Sequence, residues 1–145
     1  MCFPVFSQEY KMPPQVIKSL IEADPQPVVI FNDDASLGLV LNSDGYQSID
    51  DLAKDELRIA GTRIDPVRYT SSRMRYYKSF SLIETKTGEE IEVEYPENGK
   101  FSFFQWSPNQ EKIAFTNTTN SGVELWVIDI NSRKSSKVIE THVND

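Results

Sequence analysis

The hydrophobic positions follow two different periods along the chain. Pro13-Pro14 leads into Val16, Ile17, Leu20 and Ile21, an apolar stripe at i, i+1, i+4 and i+5 that stops before Pro25 and predicts a short amphipathic helix. Proline suits the first helical turn, whose amides have no carbonyl partner, and the residue before Pro25 is pushed out of the helical region. From Pro27 the pattern becomes that of strands. Val28-Val29-Ile30-Phe31, the turn formers Asn32-Asp33-Asp34-Ala35 and the run Leu37-Gly38-Leu39-Val40-Leu41 predict a hairpin. Ser48 heads a second predicted helix, its hydroxyl placed to accept from the Asp51 amide. Ile49, Leu52, Ala53 and Leu57 share a face of it, and Gly61 would supply a left-handed stop after Ala60. Thr62 to Met74, with Pro66 and mixed polarity, reads as a surface excursion.

Strand periodicity returns at Tyr76 to Glu84, followed by a turn at Lys86-Thr87-Gly88. In the segment Glu90 to Tyr95 the acids at 90, 92 and 94 alternate with Ile91, Val93 and Tyr95, which predicts an outer strand with one buried face. Phe101 to Trp106, Lys112 to Asn117, Val123 to Ile130 and Ser135 to Glu140 then predict a four-strand antiparallel meander. Its turns are Ser107-Pro108-Asn109-Gln110, Asn120-Ser121-Gly122 and Asn131-Ser132-Arg133-Lys134.

The two strand regions repeat one another. Leu82-Ile83-Glu84 matches Val127-Ile128-Asp129 at an offset of 45 positions, while the strand ends Phe31 and Trp106 are offset by 75. The difference equals the helix and excursion between the second and third strands, so one unit is written twice, once interrupted. A four-strand unit with a period near 40 to 45 residues predicts propeller blades. The expected fold is mainly β: two four-stranded antiparallel β-propeller blades, a partial propeller, with a short N-terminal helix and a helical insertion. The first blade spans 27–95 with its insertion at about 44–75, the second spans 101–140, and a helical arm covers 8–26. Two blades leave apolar faces without neighbours, so self-association is expected.

Charge and chemistry narrow the function. Fifteen basic against 22 acidic residues leave a net charge of −7, which removes the phosphate attraction that nucleic-acid binding requires. Composition is also not that of a membrane bundle. One cysteine, Cys2, and one histidine, His142, exclude an internal disulfide and cysteine- or histidine-rich metal sites. His142 is expected to have no positioned partner. Residues 1–7 read as a signal-peptide remnant, with Val5-Phe6-Ser7 shaped like a cleavage site, although no Lys or Arg precedes Lys11; a frayed terminus is the alternative. The expected location is periplasmic or secreted. The acidic pairs Asp33-Asp34, Asp50-Asp51, Asp55-Glu56 and Glu89-Glu90 fit turns, helix starts and an edge strand rather than glycosidase or calcium sites. Arg68, Tyr69, Arg73, Arg75, Tyr76, Tyr77 and Lys78 read as a docked loop with arginines paired and tyrosines packed. Phe101, Phe103, Phe104, Trp106, Phe115 and Trp126 read as core. No catalytic, cofactor-binding or metal-binding residue is nominated. Asn117-Thr118-Thr119 matches a glycosylation sequon.

Trp106-Ser107-Pro108, Lys112-Ile113-Ala114-Phe115 and Leu125-Trp126-Val127-Ile128-Asp129 resemble the blade motif of propellers in the prolyl-oligopeptidase family of serine peptidases and in TolB-like periplasmic proteins. Ile59-Ala60-Gly61-Thr62-Arg63-Ile64-Asp65-Pro66, preceded by Ser48 to Ala53 and Glu56-Leu57-Arg58, is similar to the N-terminal region of the glutamyl-endopeptidase-like branch. Asn109-Gln110 replaces the usual Asp-Gly of the family turn, and glutamine tolerates positive φ poorly, so a shifted register or strain is expected there. The resemblance implies further propeller blades and an α/β-hydrolase domain as partners, with peptide substrates met indirectly. This chain has no G-x-S-x-G, so no nucleophile elbow. It implies a non-catalytic N-terminal propeller segment of a serine peptidase that contributes to substrate gating and interdomain packing. The alternative is a freestanding degenerate-propeller binding module.

Overall fold

The structure, a computed structural model, describes residues 11–143, so the signal-like residues 1–7 lie outside the described residues. In chain order the elements are α1 (Gln15–Ile21), β1 (Val28–Phe31), β2 (Leu37–Ser43), α2 (Ile49–Leu52), β3 (Leu57–Ile59), β4 (Thr62–Ile64), β5 (Tyr77–Glu84), β6 (Glu90–Ile91), β7 (Phe101–Trp106), β8 (Lys112–Thr118), β9 (Val123–Asp129) and β10 (Lys134–Lys137). They are arranged as two antiparallel meanders. The first is β1-β2-β5-β6 and the second β7-β8-β9-β10; the pair Tyr77–Phe101 joins β5 to β7, and an isolated parallel bridge, Glu94–Lys134, links the segment after β6 to β10. The sheet runs open from β1 to β10 and does not close on itself.

The turns show that the two meanders share one backbone plan. The Asn32 amide donates to the Leu37 carbonyl and the Ser107 amide to the Lys112 carbonyl, at 3.0 and 2.8 Å. In return Asn32 Oδ1 accepts from the Leu37 amide and Ser107 Oγ from the Lys112 amide, each at 3.0 Å. Ala35 and Gln110, again 75 positions apart, both take positive φ, 53° and 59°. Beyond the insertion the offset is 45: Gly88 and Arg133 both have positive φ and donate to the carbonyls of Glu84 and Asp129. Gln110 therefore keeps the register and accepts the strain. Its side chain offsets part of that strain by donating to the Ser107 carbonyl at 2.9 Å and accepting from the Asp33 amide at 3.2 Å.

One face of each meander forms the core. Leu39, Leu41, Phe80 and Leu82 come from the first, and Phe101, Trp106, Ile113, Phe115 and Ile128 from the second, with Val93 beside them. Residues paired across strands share a face, so the alternation along β2, β5, β8 and β9 selects their core side chains. Phe80 lies at the centre, 5.1 Å from the ring of Phe115, 5.2 Å from Phe101 and 4.3 Å from Tyr95. Burying each such side chain stabilises by about 1.5–3 kcal/mol. At the rim, Trp106 Nε1 donates to the Ile30 carbonyl at 3.3 Å.

Several expectations are corrected. The second helix is one turn, capped by Ser48 Oγ as expected, but Leu57 and Gly61 are not part of it. Leu57–Ile59 instead pairs with Thr62–Ile64 around Ala60 and Gly61, whose φ values of 49° and 87° make a tight hairpin turn. The outer strand is shorter than the alternation implied. After Ile91 the chain leaves β5 because Glu94 exchanges backbone hydrogen bonds with Arg133 and Ser135 at 3.0 Å each. Phe103 is not core: a bulge between Ser102 and Gln105 turns Phe104 inward and leaves Phe103 exposed at φ 52°. The apolar stripe of α1 has no buried residue.

Candidate functional site

The insertion folds back on one end of the sheets and encloses a cleft of about 850 Å³. Two straps hold it there. Arg68 donates through Nη1 to Asp65 Oδ2 at 2.6 Å, through Nε to the Thr119 carbonyl at 2.7 Å and through Nη2 to Asn120 Oδ1 at 3.3 Å. Lys100 donates to both oxygens of Asp51, at 2.8 and 3.1 Å, and lies 5.6 Å from the centre of the Tyr76 ring. Each strap joins the insertion to the second meander or the segment leading into it.

The segment that carries the family resemblance is spent on building this insertion. Ala60-Gly61 makes the β3–β4 turn. Glu56 is held by Arg58, Arg63 and Arg73 and accepts from Ser72 Oγ. Asp65 accepts from the amides of Val67 at 2.8 Å and Arg68 at 3.2 Å, which fixes the turn containing Pro66. Burial is the largest single influence on the Asp65 carboxyl and pushes it up. The amide and guanidinium hydrogen bonds together outweigh burial and leave it below the usual range. Hydrogen bonds from Lys100 first, then Lys54, hold the Asp51 carboxyl well below that range.

Most charges of the cleft are thus matched. Of the basic and aromatic stretch, Arg68 and Arg73 are paired and Tyr77 packs edge-on against Phe104 at 5.9 Å, while Tyr69 is exposed. Arg75 stands on the cleft lining without an ion pair among the described residues. Such a basin can hydrogen-bond and orient polar groups. Asn117 is buried, accepting from the Lys100 amide and donating to Glu124, which hides the sequon.

His142 has a partner that sequence reasoning missed. Val143 bridges to Val123, bringing the imidazole over Gly122 and its Nε2 to 3.2 Å from Ser121 Oγ. No carboxylate among the described residues orients the ring, and the pair lies on an exposed turn outside the cleft, so the described residues do not supply the third group of a hydrolytic triad. Nothing in the spacing of 121 and 142 signals it; the contact depends on the returning tail. Among the described residues no group of three or more His, Cys, Asp or Glu is placed to hold a metal ion.

Comparison with known proteins gives a partial answer. No family model matches the chain, and no solved structure matches it. It is 28% identical to a probable chloroplastic glutamyl endopeptidase of Oryza sativa subsp. japonica, over 91% of this chain and 15% of that protein. It is 30% identical to a protein of the same description in Arabidopsis thaliana, over 83% of this chain and 14% of that protein. The chain therefore spans about 15% of the length of these relatives. The homology is weak but covers most of the chain, and it relates the chain to proteins named as peptidases.

Proposed function

We propose that this chain is a non-catalytic propeller segment of a peptidase-related protein, in which the two meanders act as blades and the insertion caps one end. Its role in that protein is to restrict which polypeptides reach a hydrolase domain and to contribute the contact with it. The observation that carries this reading is the repeated turn geometry at offsets of 75 and 45, with one meander stacked face to face on the next, as blades of a ring are. The likeness to peptidase-named relatives over most of the chain supports the same reading.

A graft tests it. The chain replaces the matching segment of the rice relative, and cleavage of a short fluorogenic glutamyl peptide is compared with cleavage of an unfolded polypeptide. The expected result is short-peptide cleavage close to that of the ungrafted protein and an altered ratio between the two substrates. Loss of the ratio change, with a folded graft, overturns the gating role. A fluorophosphonate probe on the chain alone is the complementary measurement: labelling of a serine overturns the non-catalytic reading.

A further inference from the structure

The two meanders pack in a polar order, head to tail. At offsets of 75 and 45, Gly38, Val40 and Ile83 correspond to Ile113, Phe115 and Ile128, whereas Leu39, Leu41, Phe80 and Leu82 correspond to Ala114, Thr116, Leu125 and Val127. The core between the meanders uses the second set from the first meander and the first set from the second meander. The face that one meander turns inward is therefore the face that the other turns outward. Among the described residues two open faces remain, and they are of the two kinds that already meet once inside the chain. One carries Val29, Phe31, Val40 and Ile83, with Val29 38% and Phe31 51% exposed. The other carries Ala114, Thr116, Leu125 and Val127, all half-buried.

We infer that a second copy of this chain docks head to tail, the outer face of β8 and β9 on one copy covering the outer face of β1, β2 and β5 on the next. This contact repeats the internal one. A symmetric dimer would set like face on like face, a pairing the internal contact does not use, whereas a head-to-tail contact continues until its rotation closes a ring or extends an open stack. The inference rests on strand register and concerns the 145-residue chain by itself; in a longer protein of the proposed kind neighbouring blades would occupy the same two faces, so a chain that stays single overturns this inference and leaves that reading standing.

Sedimentation of the full chain with Phe31→Glu and Leu125→Glu tests it. The wild type is expected to rise past twice the single-chain mass as concentration increases. Each variant alone remains a single chain, because one face is blocked by a charge, and an equimolar mixture recovers a one-to-one dimer through the two intact faces. A wild type that stays a single chain, a variant that associates like the wild type, or a mixture that does not recover overturns the inference. If either variant loses its circular dichroism, cross-linking decides instead. With Cys2→Ser throughout, a short bismaleimide should join Val29→Cys to Val127→Cys severalfold more than either variant to itself, and equal yields overturn the inference.

Discussion

The two meanders share their turns and differ in what those turns carry. Asn32-Asp33-Asp34-Ala35-Ser36 and Ser107-Pro108-Asn109-Gln110-Glu111 match at no corresponding position, yet both cap the next strand with a side-chain oxygen and place a positive φ at the fourth position. The backbone plan is thus fixed by where an accepting oxygen and a left-handed residue fall, not by residue identity. Side-chain volume, by contrast, follows the face. At corresponding points the first meander has Gly38 and Val40 on its open face, and the second has Ile113 and Phe115 in the core.

That contrast predicts very unequal costs for the same truncation. Phe115→Ala removes a fully buried ring that contacts Phe80, Phe101 and Phe104, and should destabilise by about 3–5 kcal/mol in urea unfolding. Val40→Ala at the corresponding point should cost well under that in the isolated chain, since Val40 is only half-buried. Equal costs would mean that the open face is covered by something. Gly99→Ala ranks next. A Cβ there would stand 2.2 Å from the ring of Phe101, which is fully buried and cannot move aside, so a loss of about 1–3 kcal/mol is expected in the same measurement.

The sequence made the meanders legible because each strand alternates and each turn carries local chemistry. Periodicity placed β1, β2, β5 and β7 to β9 within a residue or two. It failed at Ala60-Gly61 for a physical reason: a helix stop and a tight hairpin turn both require left-handed residues, and Ile49, Leu52, Ala53 and Leu57 satisfy a helical stripe by spacing alone. Only the pairing of Leu57–Ile59 with Thr62–Ile64 distinguishes them. The cleft was not legible. Arg68 meets Thr119 and Asn120 more than fifty positions away, and Lys100 meets Asp51 across a similar gap, with no motif linking either pair.

The shared turn offers a finer comparison. Ala35 and Gln110 both hold a left-handed conformation that costs an L-residue roughly 1–2 kcal/mol, part of which glycine recovers. Ala35→Gly should stabilise by about 0.5–1 kcal/mol by thermal unfolding. Gln110→Gly should gain less or nothing, because the glutamine side chain bonds Ser107 and Asp33. Equal gains would show that those bonds contribute nothing.

The smallest expected effect concerns what only the first meander has, its insertion. Asp51 is bonded by Lys100 and Lys54, and its carboxyl sits below its ordinary value of 3.8. A depressed folded value contributes stability that is present above the unfolded value and lost as pH falls toward the folded one. Wild-type stability should therefore decline as pH drops below about 4, and Asp51→Asn should flatten that part of the curve while costing little at neutral pH. The contribution is modest because Asp51 remains 31% exposed and water screens the pair. Unfolding curves measured from neutral pH down to strongly acidic solution for both proteins test this, and parallel curves would show that the Lys100 strap does not couple the insertion to the sheets.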